Sequence, residues 1–339
     1  MLLNTYGIDF GTSYLKIFNA SKKSVLKERN IIAKDADGKV LAVGDEAYTM
    51  YEKTPENITV SYPISAGVIA SIENTKTVLK KYIGSGMGLF SKTCDYYLSL
   101  PTDITEVEKR AFYQLITSSS IFARKVYIVE RAIANAVGMG INIDKPDGVM
   151  VIDIGADTCE ISVISMKTVV HSALLNIGGN KIDEAIQNYL RKKYNFMIGL
   201  KTAESIKRQN LCAVNEVPDK HITIAGFDMI EALPVEKDIT QNEMTEPICE
   251  CLNLIVDGIK GLLEKTPPEL SADILKNGIY LTGGSSKLRR ISDYFKTTTG
   301  IEIHSSDSPD ESVIRGLSLI ISNPSFKDYA AEPKDKVYY

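Results

Sequence analysis

Two stretches of this chain share a pattern that few folds call for. Gly7-Ile8-Asp9-Phe10-Gly11-Thr12-Ser13-Tyr14-Leu15-Lys16-Ile17-Phe18 runs from an apolar segment into Asp-x-Gly, crosses small and polar residues, and resumes as a second apolar segment. About 144 residues later, Val151-Ile152-Asp153-Ile154-Gly155-Ala156-Asp157-Thr158-Cys159-Glu160-Ile161-Ser162-Val163-Ile164 does the same. Each reads as a β-hairpin whose tip offers backbone amides to an anion and a carboxylate to a metal. A single copy is ordinary sheet sequence, since Asp-Gly turns are common. Two copies, with Leu281-Thr282-Gly283-Gly284 further on, imply a duplicated domain closing on a polyphosphate from both sides.

A chain of 339 residues has room for about two such domains. Its 44% hydrophobic and 24% charged content suits a globular core, and a net charge of −4 gives no general attraction for nucleic acid. No apolar run reaches the ~20 residues that span a bilayer, and Met1-Leu2-Leu3-Asn4 does not read as a signal peptide. Cys94, Cys159, Cys212, Cys249 and Cys251 form no CxxC pair, which favours free cytosolic thiols over disulfides or zinc. The three histidines are too scattered to nominate a metal site.

Between the hairpins, a polar β-segment from Val25 to Val43, broken at Asp37-Gly38, and a Pro-marked turn at Thr54-Pro55-Glu56-Asn57 read as a small inserted lobe. A helix follows with apolar residues at Val78, Leu79, Tyr82 and Ile83. Tyr96–Leu100 and Lys125–Val129 read as strands. Thr105 and Glu108 form a capping signature for the helix between them. A helix over Ala132–Gly138 leads to the crossing at Pro146-Asp147-Gly148. The second half repeats the plan: a strand over Thr168–Leu175, a tight turn at Ile177-Gly178-Gly179-Asn180, and a helix over Lys181–Tyr194. Next come a helix around Thr202–Lys207, a polar β-lobe over Glu216–Leu233 and a long helix over 241–264 that Thr266-Pro267-Pro268 ends. A buried strand over Gly278–Leu281 precedes a helix from Ser286, and the tail after Asn323 reads as loose.

With these residues in place, the chain resembles the MreB family of bacterial actin homologues over nearly its whole length. The blocks are Ile8-Asp9-Phe10-Gly11-Thr12, Leu41-Ala42-Val43-Gly44, Thr54-Pro55-Glu56-Asn57-Ile58, Gly67-Val68-Ile69 and Asp103 to Ala111. They continue with Val151 to Gly155, Ile177-Gly178-Gly179, Thr202 to Lys207, Thr266-Pro267-Pro268-Glu269-Leu270 and Leu281 to Gly284. The phosphate motifs alone would also fit sugar kinases and chaperone-type ATPases. The Thr-Pro-x-Asn-Ile, Gly-Val-Ile and Thr-Pro-Pro-Glu-Leu blocks belong to the MreB type. The resemblance implies an α/β, actin-like ATPase fold: two ribonuclease-H-like domains, each with a smaller inserted subdomain, and a nucleotide in the cleft between them. Domain I would cover 1–142 with 314–339 (inserted lobe about 30–66), and domain II 143–313 (inserted lobe about 179–249).

ATP and Mg²⁺ are the implied ligands. Asp9 and Asp153 suit the outer sphere of Mg²⁺, which keeps most of its waters. Gly11, Thr12, Ser13 and Gly155 would bring the chain to the phosphates, with Gly178, Gly179, Gly283, Gly284 and Ser285 allowing close approach. Glu204 and Lys207, one helical turn apart, would line the ribose and base.

The departures from the family carry as much weight. After the Val129 strand the family has two glutamates, the second of which positions the attacking water. Here the run is Val129-Glu130-Arg131-Ala132, with Glu130 in the first position and Arg131 in the catalytic one. A guanidinium is no base at physiological pH, so the general-base contribution of roughly 10²–10⁴-fold should be missing. Thr158, the other water-orienting residue, is retained. Ala156 and Asp157 stand where the family has glycines. Asp157 would repel the γ-phosphate, pair with Arg131, or stand in as base. Tyr14 replaces an asparagine expected near the phosphates. The expectation is ATP binding with hydrolysis slow or lost.

Gly84 to Ser91 combines three glycines with Met87, Leu89 and Phe90. The resemblance matches Leu89-Phe90 to a loop that inserts into the bilayer, worth about 3–6 kcal/mol per subunit before ordering costs. It further implies self-association into filaments, possibly antiparallel double protofilaments. It places the chain in the cytoplasm on the inner membrane face, with cell-wall synthesis or shape proteins as partners and no nucleic acid. The alternatives are a non-hydrolysing paralogue that regulates or co-polymerises with an active one, in cell shape or motility, and a small-molecule kinase.

Overall fold

The computed structural model describes residues 4–84, 93–119, 121 and 123–333. Met87, Leu89 and Phe90 lie outside them. The chain divides into two compact units: Met1–Lys145 with Met166–Val169 and Glu311–Tyr339, and Pro146–Ser165 with Val170–Asp310.

Unit 1 is built on β1 (Asn4–Phe10), β2 (Tyr14–Asn19), β3 (Ser24–Arg29), β9 (Cys94–Leu100) and β10 (Ala123–Glu130), in the order β10-β9-β1-β2-β3. β1 runs antiparallel to β2, in a register that sets Asp9 opposite Lys16, and parallel to β9. β1 and β9 are nearly continuous runs of buried residues, as parallel strands covered on both faces must be. The polar segment after β3 splits into β4 (Ile32–Asp35) and β5 (Val40–Val43). With β6 (Ile58–Ser61) these form a small sheet, β5-β4-β6, under α1 (Asp45–Met50). Ile31, Ala33 and Ala47 are its buried centre. Two short strands, β7 (Ile64–Ser65) and β8 (Val68–Ile69), then lead to α2 (Ile72–Leu79).

The sequence signature at Thr105 is a true capping box on α3 (Glu106–Thr117): Glu108 N donates to Thr105 Oγ1 at 3.2 Å and Thr105 N to Glu108 Oε2 at 2.7 Å. α4 (Arg131–Gly138) starts directly where β10 ends. It packs so closely on the late helix α10 (Ser312–Ser322) that a Cβ at Gly316 would sit 1.8 Å from the Ala134 carbonyl oxygen. The tail is not loose where it is described. A 3₁₀ turn covers Pro324–Tyr329, and Ala331 forms a two-bond bridge to Ile128 at 2.8 and 3.0 Å. Edge-strand amides of β10 give it something to pair with, which polarity alone does not reveal.

Unit 2 repeats the connectivity. β11 (Val149–Ile154) and β12 (Cys159–Ser165) form the hairpin, and β13 (Thr168–Leu175), β17 (Ile279–Thr282) and β18 (Ile303–Ser305) complete the sheet β18-β17-β11-β12-β13. The strands pair as in unit 1: β11 antiparallel to β12, then parallel to β17. Ile152, Ile154, Ile161, Ile255, Ile259 and Phe295 belong to its core. A short strand β14 (Phe196–Met197) joins β15 (His221–Asp228) and β16 (Leu233–Thr240) in a second small sheet.

Several helix bounds differ from the sequence expectation. α5 (Gly179–Tyr194) begins at Gly179, so Gly178 is its N-cap and not the centre of a turn. α6 covers Leu200–Gln209, and α7 spans Thr245–Lys265 after a 3₁₀ turn. Pro268 does not only end α7: it opens an unforeseen helix, α8 (Pro268–Asn277), from the first-turn position where proline's missing N–H costs nothing. The last helix of the unit, α9 (Ile291–Thr299), starts five residues later than Ser286, behind a 3₁₀ turn at Gly284–Lys287.

α5 and α6 share a buried ion pair, Lys207 Nζ to Asp183 Oδ1 at 2.8 Å, although the oxygen is not aligned for a hydrogen bond. Burial outweighs the Lys207 charge and lifts the Asp183 carboxyl from its ordinary 3.8 to about 6. A carboxyl raised on folding adds stability that is complete below its unfolded value and lost as pH rises through the folded one. The expected outcome is a urea midpoint for unit 2 whose Asp183 contribution falls between pH 4 and 6, and an Asp183→Asn variant that lacks this slope. An unchanged slope in the variant would contradict the assignment.

Candidate functional site

In unit 1 the turn between β1 and β2 is held from three sides. Asn30 Nδ2 donates to the Gly11 carbonyl at 2.9 Å, and Asn30 N to the Ser13 carbonyl at 3.0 Å. From the first residue of α4, Arg131 Nη2 donates to the Phe10 carbonyl at 3.3 Å. The amides of Thr12 and Ser13 donate to no backbone acceptor among the described residues, so they remain available to an anion. Gly11 is required here, because a Cβ would lie 2.6 Å from the Tyr14 carbonyl oxygen. Tyr14 turns away into a stack of cations, its ring 5.5 Å from Lys27 Nζ and 5.1 Å from the Arg29 guanidinium, which also covers Tyr48.

Asp9 is buried, and its Oδ2 accepts from Lys16 Nζ at 2.8 Å. The Lys16 side chain is itself only 12% exposed. Lys16 is a site residue that the sequence reading missed. The available signal was a lysine inside an apolar return strand, directly across the hairpin from Asp9.

Arg131 is 7% exposed, its Nε has no partner, and it forms no ion pair among the described residues. Glu130 ends β10 and occupies the N-cap position of α4, with no side-chain capping bond. Burial raises its carboxyl, partly offset by the Lys109 charge.

In unit 2 the hairpin closes when Gly155 N donates to the Thr158 carbonyl at 2.8 Å. The Gly155 carbonyl then collects Gly179 N at 3.0 Å and Ser285 Oγ at 2.7 Å, and the Ala156 carbonyl takes Asn180 N at 2.8 Å. These bonds bring the Gly155–Thr158 turn, the start of α5 and the Gly283-Gly284-Ser285 turn into one cradle. Gly283 adopts φ +90°, and a Cβ there would strike the Ile154 carbonyl and Asp153 Oδ1 at 2.3 and 2.4 Å. A Cβ on Gly284 would meet nothing nearer than 3.9 Å, so this side of the cradle is open. Neither Ala156 nor Asp157 has positive φ, and the loop therefore does not need the glycines they replace. Asp157 Oδ1 accepts from Asn180 Nδ2 at 2.6 Å, and Thr158 is buried beside it.

The two helical residues expected at the ribose and base each have a partner within unit 2. Lys207 is buried, with Nζ donating to the Gly179 carbonyl at 2.7 Å and pairing with Asp183. Glu204 pairs along α6 with Arg208 at 3.2 Å. Lys207 thus ties α6 to the glycine turn of the cradle.

Open amides and glycine-lined cradles fit a polyphosphate. Among the described residues, no group of three or more His, Cys, Asp or Glu could ligate a metal directly. Carboxylates outside any such group, as Asp9 and Asp153 are, suit a cation held mainly by water and phosphate oxygens, and Lys16 already occupies one oxygen of the first.

A family model for MreB/Mbl protein matches residues 3–328. The chain is 36% identical over 326 residues to the cell shape-determining protein Mbl of Bacillus subtilis, covering 95% of this chain and 97% of Mbl. It is 34% identical over 323 residues to the cell shape-determining protein MreB of Escherichia coli, covering 93% and 92%. MreB5 of Spiroplasma citri bound to AMPPNP superposes with a TM-score of 0.91 at 31% identity, covering 97% of this chain and 98% of that one. With the same hairpin-bearing sheet built twice in an actin-like fold, and a family match across nearly all of its length, this chain belongs to the MreB/Mbl family.

Proposed function

We propose that this chain is an ATP-binding cytoskeletal protein that polymerises into actin-like filaments on the cytoplasmic face of the cell membrane and maintains cell shape, with ATP hydrolysis slow or lost. The relatives named cell shape-determining and the AMPPNP-bound MreB5 support the general role. One observation carries the particular one: a buried guanidinium, Arg131, stands at the head of α4 and binds the carbonyl that precedes Gly11.

A glutamate there could orient a water and take its proton; a guanidinium can only donate to the water and cannot act as base. Thr158 can still accept and donate a hydrogen bond, but orientation without a base leaves most of the barrier in place. Asp157 is the remaining acidic candidate, and its bond to Asn180 holds its carboxylate in the turn of unit 2. Mg²⁺, when bound, would screen the phosphate charge, with Asp9 and Asp153 holding its waters. Arg131 also favours a second reading, in which the chain is a non-hydrolysing paralogue that co-polymerises with an active one and regulates it.

No helix among the described residues is long and apolar enough to cross a membrane. Attachment through Met87, Leu89 and Phe90 would be marginal for one subunit and strong for a filament, because linked sites bind with avidity. Head-to-tail contacts that do not close a ring supply such a filament. Its partners would be other copies of this chain, the membrane, and proteins of cell-wall synthesis or shape.

Purified protein should release phosphate from ATP slowly, and Arg131→Glu should raise the rate by roughly 10²–10⁴-fold. Release at the higher rate by the wild type, with Asp157→Asn no slower, would overturn the reading. In liposome flotation, Leu89→Ser/Phe90→Ser should stay at the bottom while wild-type polymer floats. Equal flotation would remove the loop as the anchor.

A further inference from the structure

We propose that Lys16 and Arg131 are phosphate-binding cations of the first loop, and that they let this chain retain a nucleoside triphosphate without a divalent metal. The inference rests on the nucleotide-binding reading above and adds what holds the phosphates.

Three observations converge on it. Arg131 is 7% exposed, and its guanidinium has one hydrogen bond, leaves a buried Nε without a partner and forms no ion pair among the described residues. It sits at the first position of α4, where the aligned peptide dipoles present positive charge and disfavour a cation. A buried cation placed against a helix N-terminus is at ease only when an anion reaches it. The third observation is Lys16, a half-buried residue whose ammonium pairs with Oδ2 of Asp9, one of the two carboxylates suited to hold waters of Mg²⁺.

Both cations touch the last two residues of β1, Asp9 and Phe10, just before the amides of Thr12 and Ser13. The Lys16 ammonium is paired with the Asp9 carboxylate, while the Arg131 guanidinium has no ion-pair partner among the described residues, so its charge is open to an arriving anion. A triphosphate would meet fixed donors in place of a mobile cation: the planar fork of Arg131 and the point charge of Lys16.

The experiment is equilibrium binding of ATP and ADP, with Mg²⁺ and with EDTA, to wild type, Arg131→Met and the double variant Asp9→Asn/Lys16→Met. The double change avoids leaving Asp9 buried and unpaired, and melting without nucleotide confirms that each variant folds. Wild type should hold ATP in EDTA within about tenfold of its affinity in Mg²⁺. Each variant should lose about tenfold or more in EDTA, the size of one charge-assisted hydrogen bond, and Arg131→Lys should recover part of the loss. Wild-type binding that is present in Mg²⁺ but abolished by EDTA overturns this proposal and leaves the nucleotide-binding reading standing. Variants that match the wild type in EDTA overturn the assignment to these residues. No ATP binding under either condition overturns both.

Discussion

Burying a guanidinium without an ion-pair partner costs several kcal/mol unless something offsets it, and among the described residues of unit 1 that cost falls on Arg131, beside the turn after β1. Arg131 recovers part of it from the Phe10 carbonyl. Its place at the head of α4 is fixed by β10 ending at Glu130, and α4 cannot shift, because Gly138 and Gly316 bring it into backbone contact with α10. The charge is therefore held against the turn by packing, and the chemistry of the turn follows from where that charge is held.

The two hairpins share a backbone plan and differ in how they are charged. In unit 1 the turn carries Asp9 neutralised by Lys16, with Arg131 behind it. In unit 2 the corresponding turn carries Asp153 and Asp157, the latter anchored by Asn180. A duplicated fold thus presents one cationic and one acidic loop. The cationic one holds its fixed positive charge at Lys16 and Arg131.

Much of this was legible in the sequence because it is local. The hairpins show as paired β-rich runs around Asp-x-Gly, the capping box at Thr105 needs only residues three apart, and the replacement at Arg131 is visible as soon as the family frame is set. What escaped reading depends on distant partners. Lys16 is silent until register places it across from Asp9. The pairing of Lys207 is silent until α5 brings Asp183 to it. Helix α8 was hidden because a proline that ends one helix also starts another. The tail looked loose because nothing local shows that Ala331 meets the edge of β10. Ala156 and Asp157 stand in place of glycines at no backbone cost, because the turn places no left-handed demand on them.

The claim that Arg131 turns a hydrolytic site into a holding one is tested most directly by the nucleotide inside aged polymer. Filaments assembled with ATP, freed of excess nucleotide and kept for hours, should yield ATP when denatured and chromatographed. Recovery of ADP alone would contradict the account.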